Sequence, residues 1–256
     1  MSESLLEVAS LSKRFFGLLA LDDVSFTLQA GEITSLIGPN GAGKTTMFNC
    51  ITGMIAPTAG AVRFEGRDIA GFGAHRISRL GIARTFQNLA LFGGLTVLEN
   101  LMVGAYQRGR SGLLEGALLT GRARREQREA ESAARETLAF LGMADAADLA
   151  PSELSYGAQK QVEFGRALMQ KSRLLLLDEP MAGMSAAEKG EMSNLIRRVR
   201  RDLGLTVLIV EHDIPVIMSI SDKIVVLDFG RKIADGSPQE VRSNPAVIAA
   251  YLGAEA

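Results

Sequence analysis

The residues with the plainest chemical purpose lie in one run, Gly38-Pro39-Asn40-Gly41-Ala42-Gly43-Lys44-Thr45. The run fits G-x-x-x-x-G-K-[ST], the P-loop that cradles nucleotide phosphates. An apolar stretch, Ile33 to Ile37, precedes it, and apolar residues at helical spacing follow (Met47, Phe48, Cys50, Ile51, Met54 and Ile55). That strand–loop–helix context is what the motif needs. Gly41 and Gly43 let the backbone curl, so that its N–H groups face the phosphates at the positive end of a helix. Lys44 is spaced to reach the β- and γ-phosphates and the Thr45 hydroxyl to ligate Mg²⁺, while Gly38, Pro39, Asn40, Ala42 and Thr46 complete the cradle. A second run, Leu174-Leu175-Leu176-Leu177-Asp178-Glu179, is an apolar strand ending in two carboxylates. Asp178 is placed to hold Mg²⁺ through water, and Glu179 is next in line to polarise an attacking water. Alone, four leucines and two acids say little; after a P-loop they read as a Walker B element with its catalytic base.

These residues need elements to hold them. Leu6 and Val8, then Val24, Phe26 and Leu28, alternate as paired strands do, and Ala61–Gly66 adds a hairpin-like piece with Val62 and Phe64 on one face. No helix separates them, so a small antiparallel sheet is expected. Leu174–Leu177, Val207–Val210 and Ile224–Leu227 are apolar throughout and alternate with helical patterns, which predicts a parallel sheet covered on both faces. From Leu98 to Ala150 the pattern is helical. Arg122–Leu141 is heavily charged, with Glu131 and Arg135 at i,i+4 and a weak apolar stripe of Ala130, Ala134, Leu138 and Leu141. This predicts an inserted helical subdomain whose charges form a solvated face. Ser185-x-x-Glu188 and Ser237-Pro238-Gln239-Glu240 are capping boxes that start helices.

Composition sets the limits. A chain of 256 residues with 47% apolar residues can bury a substantial core. A formal net charge of -1 gives no electrostatic footprint for nucleic acid. The single cysteine, Cys50, cannot form an internal disulfide and lies on the apolar face of the helix after the P-loop, a core position. The N-terminus is acidic and polar, unlike a signal peptide, and no apolar run approaches the roughly 18–20 residues of a membrane span. A cytoplasmic chain is expected, with any membrane role supplied by a partner.

Leu154-Ser155-Tyr156-Gly157-Ala158-Gln159, ahead of a helical pattern carrying Gly165-Arg166-Ala167-Leu168, resembles the signature sequence Leu-Ser-Gly-Gly-Gln of the ATP-binding-cassette family. Three more positions carry the resemblance, so that with the two phosphate-site runs it spans Leu6 to about Gly253. Gln87 in Thr85-Phe86-Gln87-Asn88 matches the family's Q-loop, and His212 in Val210-Glu211-His212-Asp213 its switch histidine. Phe15 matches the aromatic that stacks on adenine, with Phe16 beside it. The family pattern has Gly where this chain has Tyr156, Gln where it has Ala158, and Ala-Leu-Asp where it has Gly183-Met184-Ser185.

The resemblance implies an α/β fold: a P-loop NTPase parallel-sheet core with an N-terminal antiparallel β subdomain and an inserted α-helical subdomain. One cassette domain would fill residues 1–256, its core near 1–87 and 160–256, the helical part near 88–159 and a C-terminal helix near 244–253. It implies ATP and Mg²⁺ as ligands, the metal held by Thr45, Asp178 and Gln87. It implies Glu179 as base, with Lys44, His212 and Gln87 around the γ-phosphate, and Ser155 and Gly157 completing the site of a second cassette. Gly81–Asn88, Leu95–Asn100 and Asn244–Gly253 are most similar to the ATPase subunits of branched-chain (hydrophobic) amino-acid importers. A lipopolysaccharide-export ATPase is the near alternative. The importer reading implies a partner ATPase, identical or different, two membrane permeases, indirectly a periplasmic binding protein, and a location on the cytoplasmic face of the inner membrane. Two other classes compete: a cassette ATPase acting on DNA or ribosomes, and a P-loop GTPase or small-molecule kinase. The first usually carries a long coiled coil or paired cassettes and the second an Asn-Lys-x-Asp motif; the chain has none of these.

Overall fold

The computed structural model describes residues 4–85, 90–105 and 121–252. Alternation of apolar and polar residues produces β1 (Ser4–Phe15), which pairs antiparallel with β2 (Leu18–Gln29). Leu6, Val8 and Leu11 of β1 and Val24, Phe26 and Leu28 of β2 turn to the core, because successive side chains of a strand face opposite sides. With β4 (Ala59–Phe64) and β5 (Arg67–Asp68) these strands form a four-stranded sheet of order β2-β1-β4-β5. This is the expected antiparallel β subdomain.

The second sheet has six strands, β3 (Ile33–Ile37), β6 (Ile82–Arg84), β7 (Leu174–Asp178), β8 (Thr206–Val210), β9 (Lys223–Asp228) and β10 (Arg231–Gly236), ordered β10-β9-β3-β8-β7-β6. Neighbours pair in parallel except β10, which runs antiparallel to β9. Every residue of β3, β7 and β8 is buried, which explains why these strands read as unbroken apolar runs: both faces are covered. On one face lies α1 (Lys44–Ile51), whose Met47, Phe48 and Ile51 pack between this sheet and the antiparallel one. On the other lies α6 (Ala186–Leu203), through Met192, Leu195, Ile196 and Val199. Each such side chain contributes about 1.5–3 kcal/mol by leaving water. The Ser185–Glu188 capping box starts α6 and Gly204, in the left-handed conformation, ends it; a second box at Ser237 and Glu240 starts α8 (Pro238–Arg242). Cys50 is buried, and burial pushes its thiol up to about 11, as suits a core residue rather than a nucleophile. His75, in α2 (Ala74–Arg79), is exposed.

The helical part consists of α3 (Val97–Ala105), α4 (Gly121–Leu141) and α5 (Tyr156–Leu168). Val97, Leu101, Ala134, Leu138, Val162 and Met169 make its core. On α4, Ala134, Leu138 and Leu141 of the stripe are buried, while Arg125–Glu129 and Arg135–Glu131 pair on the exposed side. Helix α5 serves both parts. Val162 packs with α3 and α4, whereas Phe164 and Ala167 pack with β7 and α6. A boundary at residues 159/160 therefore falls inside a continuous helix. Two short helices, α7 (Ile214–Ile220) and α9 (Pro245–Leu252), complete the described chain.

Candidate functional site

Parallel pairing of β3, β6, β7 and β8 brings their carboxyl ends to one edge of the sheet, where open α/β folds hold ligands. The P-loop leaves β3 there, Asp178 ends β7, Glu179 follows it, and Glu211 and His212 follow β8. Gln87 lies just past β6 in sequence and falls outside the described residues.

The P-loop is held shut by contacts on both sides. Gly43 has φ of +100°, a conformation that L side chains rarely adopt. A Cβ added there would lie 2.7 Å from the Ala20 carbonyl oxygen and 2.9 Å from Leu21 Cδ2. Gly43→Ala should therefore lower unfolding free energy by about 1–3 kcal/mol; a denaturant curve superimposing on that of the unmodified chain would show that the loop does not need this conformation. Lys44 is buried, and its Nζ donates to the carbonyls of Gly38 at 2.7 Å and Pro39 at 3.0 Å. Burial pulls the Lys44 ammonium below its ordinary pKa, and the nearby Glu179 carboxylate pulls it back up. The cation thus sits beside both the loop and the carboxylate after Walker B. Thr45 is exposed and Thr46 partly exposed in the first helical turn, beside the exposed Asn40 and Gly41. A helix start has N–H groups without intrahelical partners; with Lys44 above it, this cradle fits a polyphosphate. A hydroxyl at Thr45 and a carboxylate at Asp178 are hard oxygen donors of the kind that fit Mg²⁺.

Asp178 is 4% exposed, and its Oδ2 accepts from Arg84 Nη2 at 2.7 Å. The same guanidinium donates through Nη1 to Asn49 Oδ1 at 2.7 Å and to Thr52 Oγ1 at 3.2 Å, so α1 and β6 jointly orient the carboxylate. Asn49 and Thr52 carry no motif; Arg84 lies within the Gly81–Asn88 stretch that carries the importer resemblance, but nothing in that stretch signals that its guanidinium meets Asp178.

Glu179 has φ of +48°, left-handed for a non-glycine residue. Such strain persists only where surroundings over-determine it. Its N–H donates to the Val210 carbonyl at 2.9 Å. Its Oε1 lies 2.5 Å from His212 Nε2. The imidazole N–H facing a carboxylate donates, so the histidine is held by the group it adjoins. Glu211 is 4% exposed. Burial pushes its carboxyl above the usual range, against the pull of the Met181 and His212 N–H donors.

Phe15 is 39% exposed at the β1–β2 turn, with Lys13 Nζ 4.9 Å from its ring centroid. Phe16 is fully exposed. The same hairpin supplies Ala20, whose carbonyl abuts Gly43, so this aromatic tip belongs to the loop's surroundings.

Ser155 and Gly157 do not join the sheet-edge cluster. Ser155 is the N-cap of α5, its Oγ accepting from Ala158 N at 3.2 Å. Gly157 N donates to Glu188 Oε1 at 3.2 Å, and Ser155 Oγ contacts the same oxygen at 3.5 Å. The Ser185 N–H and hydroxyl, and to a lesser degree these two donors, hold the Glu188 carboxyl below its usual pKa range. An anion already rests on this helix start, as its dipole favours. The variant positions fit each other: Tyr156, in place of the signature glycine, lies over Gly183, where a Cβ would approach Tyr156 Cε1 to 3.1 Å. Ser185, in the D-loop aspartate's position, caps α6 as an aspartate would.

The chain is similar to known proteins along nearly its whole length. A family model described as ABC transporter matches residues 21–182, and one described as branched-chain amino acid ATP-binding cassette transporter matches residues 231–256. The chain is 44% identical over 253 residues to the high-affinity branched-chain amino acid transport ATP-binding protein BraF of Pseudomonas aeruginosa, covering 99% of each. It is 38% identical to a probable branched-chain amino acid transport ATP-binding protein of Archaeoglobus fulgidus, covering 98% of this chain and 96% of the relative. Among solved structures, an ATP-binding cassette of an ABC transporter in its ADP conformation superposes with a TM-score of 0.85 at 34% identity, covering 98% of this chain and 99% of the other. A dimeric post-hydrolysis cassette bound to ADP and Pi superposes with a TM-score of 0.75 at 26% identity, covering 91% and 98%. The phosphate loop, the acidic strand end, the signature helix and these full-length likenesses together make the chain a member of the ATP-binding cassette family of transporters.

Proposed function

We propose that this chain is the ATP-hydrolysing subunit of a branched-chain amino-acid importer and works as half of a head-to-tail pair of cassettes. The observation that carries the pairing is the separation of two half-sites. Lys44, Asp178, Glu179 and His212 share the sheet edge, while Ser155 and Gly157 open a different helix and meet Glu188 instead. In the pair, the signature helix start of one cassette covers the γ-phosphate held by the other, and Glu188 yields its N–H and hydroxyl partners to that phosphate. The dimeric relative bound to ADP and Pi supports this reading.

Within one site, Lys44 and the loop N–H groups hold the β- and γ-phosphates, and the exposed aromatic Phe15 stacks on adenine. Thr45, Asp178 and Gln87 are the residues that would hold Mg²⁺, which when bound supplies charge neutralisation along the phosphates. Glu179 takes the proton of the attacking water, and His212, through the edge not bonded to Glu179 or after that bond opens, contacts the γ-phosphate. Arg166 Nη1, on the signature helix, donates to the Ala90 carbonyl at 2.5 Å, directly after the Q-loop. That contact offers a path from the nucleotide to permeases docked near the Q-loop and helical part.

Among the described residues no helix is long and apolar enough to cross a membrane, so attachment to the inner membrane's cytoplasmic face would come from two permeases, with a periplasmic binding protein upstream. The test is co-expression with two permeases of a branched-chain amino-acid importer. The chain should sediment with membranes, and vesicles of the assembled complex should take up leucine, isoleucine or valine when ATP and the binding protein are supplied. A chain left entirely in the supernatant, or uptake indifferent to all three amino acids, would overturn the importer reading.

A further inference from the structure

Glu211 is a buried carboxylate that the mechanism above does not use. It follows β8 directly, between the strand and His212. Its two oxygens have different partners: Oε1 accepts from the Met181 N–H at 2.7 Å and Oε2 from the His212 N–H at 3.0 Å. Met181 lies two residues beyond Glu179, in the turn that leaves Walker B; Ala182 N–H donates back to the Glu179 carbonyl at 3.2 Å. The strained turn at Glu179 is therefore pinned at both ends. Val210 O holds the Glu179 N–H before the bend, and Glu211 holds the Met181 N–H after it.

We propose that Glu211 is a positioning residue for ATP hydrolysis: by bridging Met181 and His212 it fastens the Glu179 turn and the switch-histidine turn into one unit. Carboxylates accept hydrogen bonds from N–H groups more strongly than neutral oxygens do, and a bidentate bridge between two loops removes their independent motion. The 2.5 Å approach of His212 Nε2 to Glu179 Oε1 is the result: both backbones are fixed before the side chains meet. A neutral residue of the same shape cannot replace it. A glutamine has one carbonyl oxygen and an NH₂ group, so one of the two N–H donors would face another donor. The inference rests on Glu179 and His212 acting as proposed above.

The experiment is ATP hydrolysis by the full chain in its assembled transporter, with ATP affinity measured in parallel. Glu211→Gln should lower kcat at least about tenfold, as expected when a buried N–H loses its partner beside the reacting groups, while ATP affinity stays within about twofold. In a background with both Glu179→Gln and His212→Ala the same change should alter residual turnover by less than about twofold, because neither group that it positions is left. A merely structural residue would instead lower stability and multiply with that double substitution. Should Glu211→Gln not fold, Glu211→Asp, which keeps the charge but falls short of one donor, answers by the same two readings. Undiminished kcat in a folded Glu211 variant, or losses that multiply, overturn the inference. Undiminished turnover in Glu179→Gln would instead overturn the assignment of the base.

Discussion

Glu179→Gln should bind ATP with unaltered affinity and hydrolyse it about 10²–10⁴-fold more slowly, the contribution of a positioned general base. The substitution is close to isosteric, so the left-handed backbone at Glu179 and its N–H bond to Val210 survive. What disappears is the ability to take a proton from water. The bond from His212 also weakens, because an amide at Oε1 accepts from Nε2 less strongly than a carboxylate. Lys44 and the loop N–H groups, which hold the phosphates, are untouched by the change. Under the pairing proposed here, ATP then holds two cassettes together and the pair outlives the time in which it would normally hydrolyse. Size-exclusion chromatography with and without Mg-ATP, beside single-turnover hydrolysis, tests both halves. Near-normal turnover would mean that another group is the base. Lost turnover without an ATP-dependent pair would leave the base standing and remove the head-to-tail reading.

The second large effect is at the other end of the phosphates. Lys44→Ala should weaken ATP binding roughly 10- to 100-fold, the equivalent of about 1.5–3 kcal/mol for hydrogen bonds to a charged partner. The ammonium is already desolvated and already directed at the loop by the carbonyls of Gly38 and Pro39. Little reorganisation is needed to exchange those carbonyls for phosphate oxygens, and no neighbour among the described P-loop residues can supply a second cation. Equilibrium titration with a fluorescent ATP analogue measures the loss. Affinity within experimental error of the unmodified chain would remove Lys44 from the phosphate site. The two substitutions should differ in kind: one spares binding and stops turnover, the other loses binding first.

The pairs at Arg84–Asp178 and Glu211–Met181 tie neighbouring elements of the site together. Each carboxylate at the sheet edge has a partner on a different element.

Much of this was legible in the residues themselves. The P-loop is local: its glycines, lysine and threonine act through backbone shape and spacing within a few positions, and the strand and helix flanking it follow from apolar periodicity. The same holds for the apolar strands β3, β7 and β8 and for the capping boxes at Ser185 and Ser237, whose signals span four residues. Order along the chain could not say which side chains meet. That Arg84 faces Asp178, that Glu211 ties Met181 to His212, and that Glu188 rests on Ser155 and Gly157 depend on strand order and helix packing between residues far apart in sequence. The pattern of the sequence suggests a boundary at residues 159/160, a point that lies within the helix Tyr156–Leu168, which packs with both parts. Along the chain Tyr156 and Gly183 are separate departures, and only their contact shows the bulk of one fitted to the smallness of the other. The physical reason is range: backbone conformation and periodic burial are decided by neighbours in sequence, while a buried carboxylate takes its partners from whichever elements the sheet brings to the same edge.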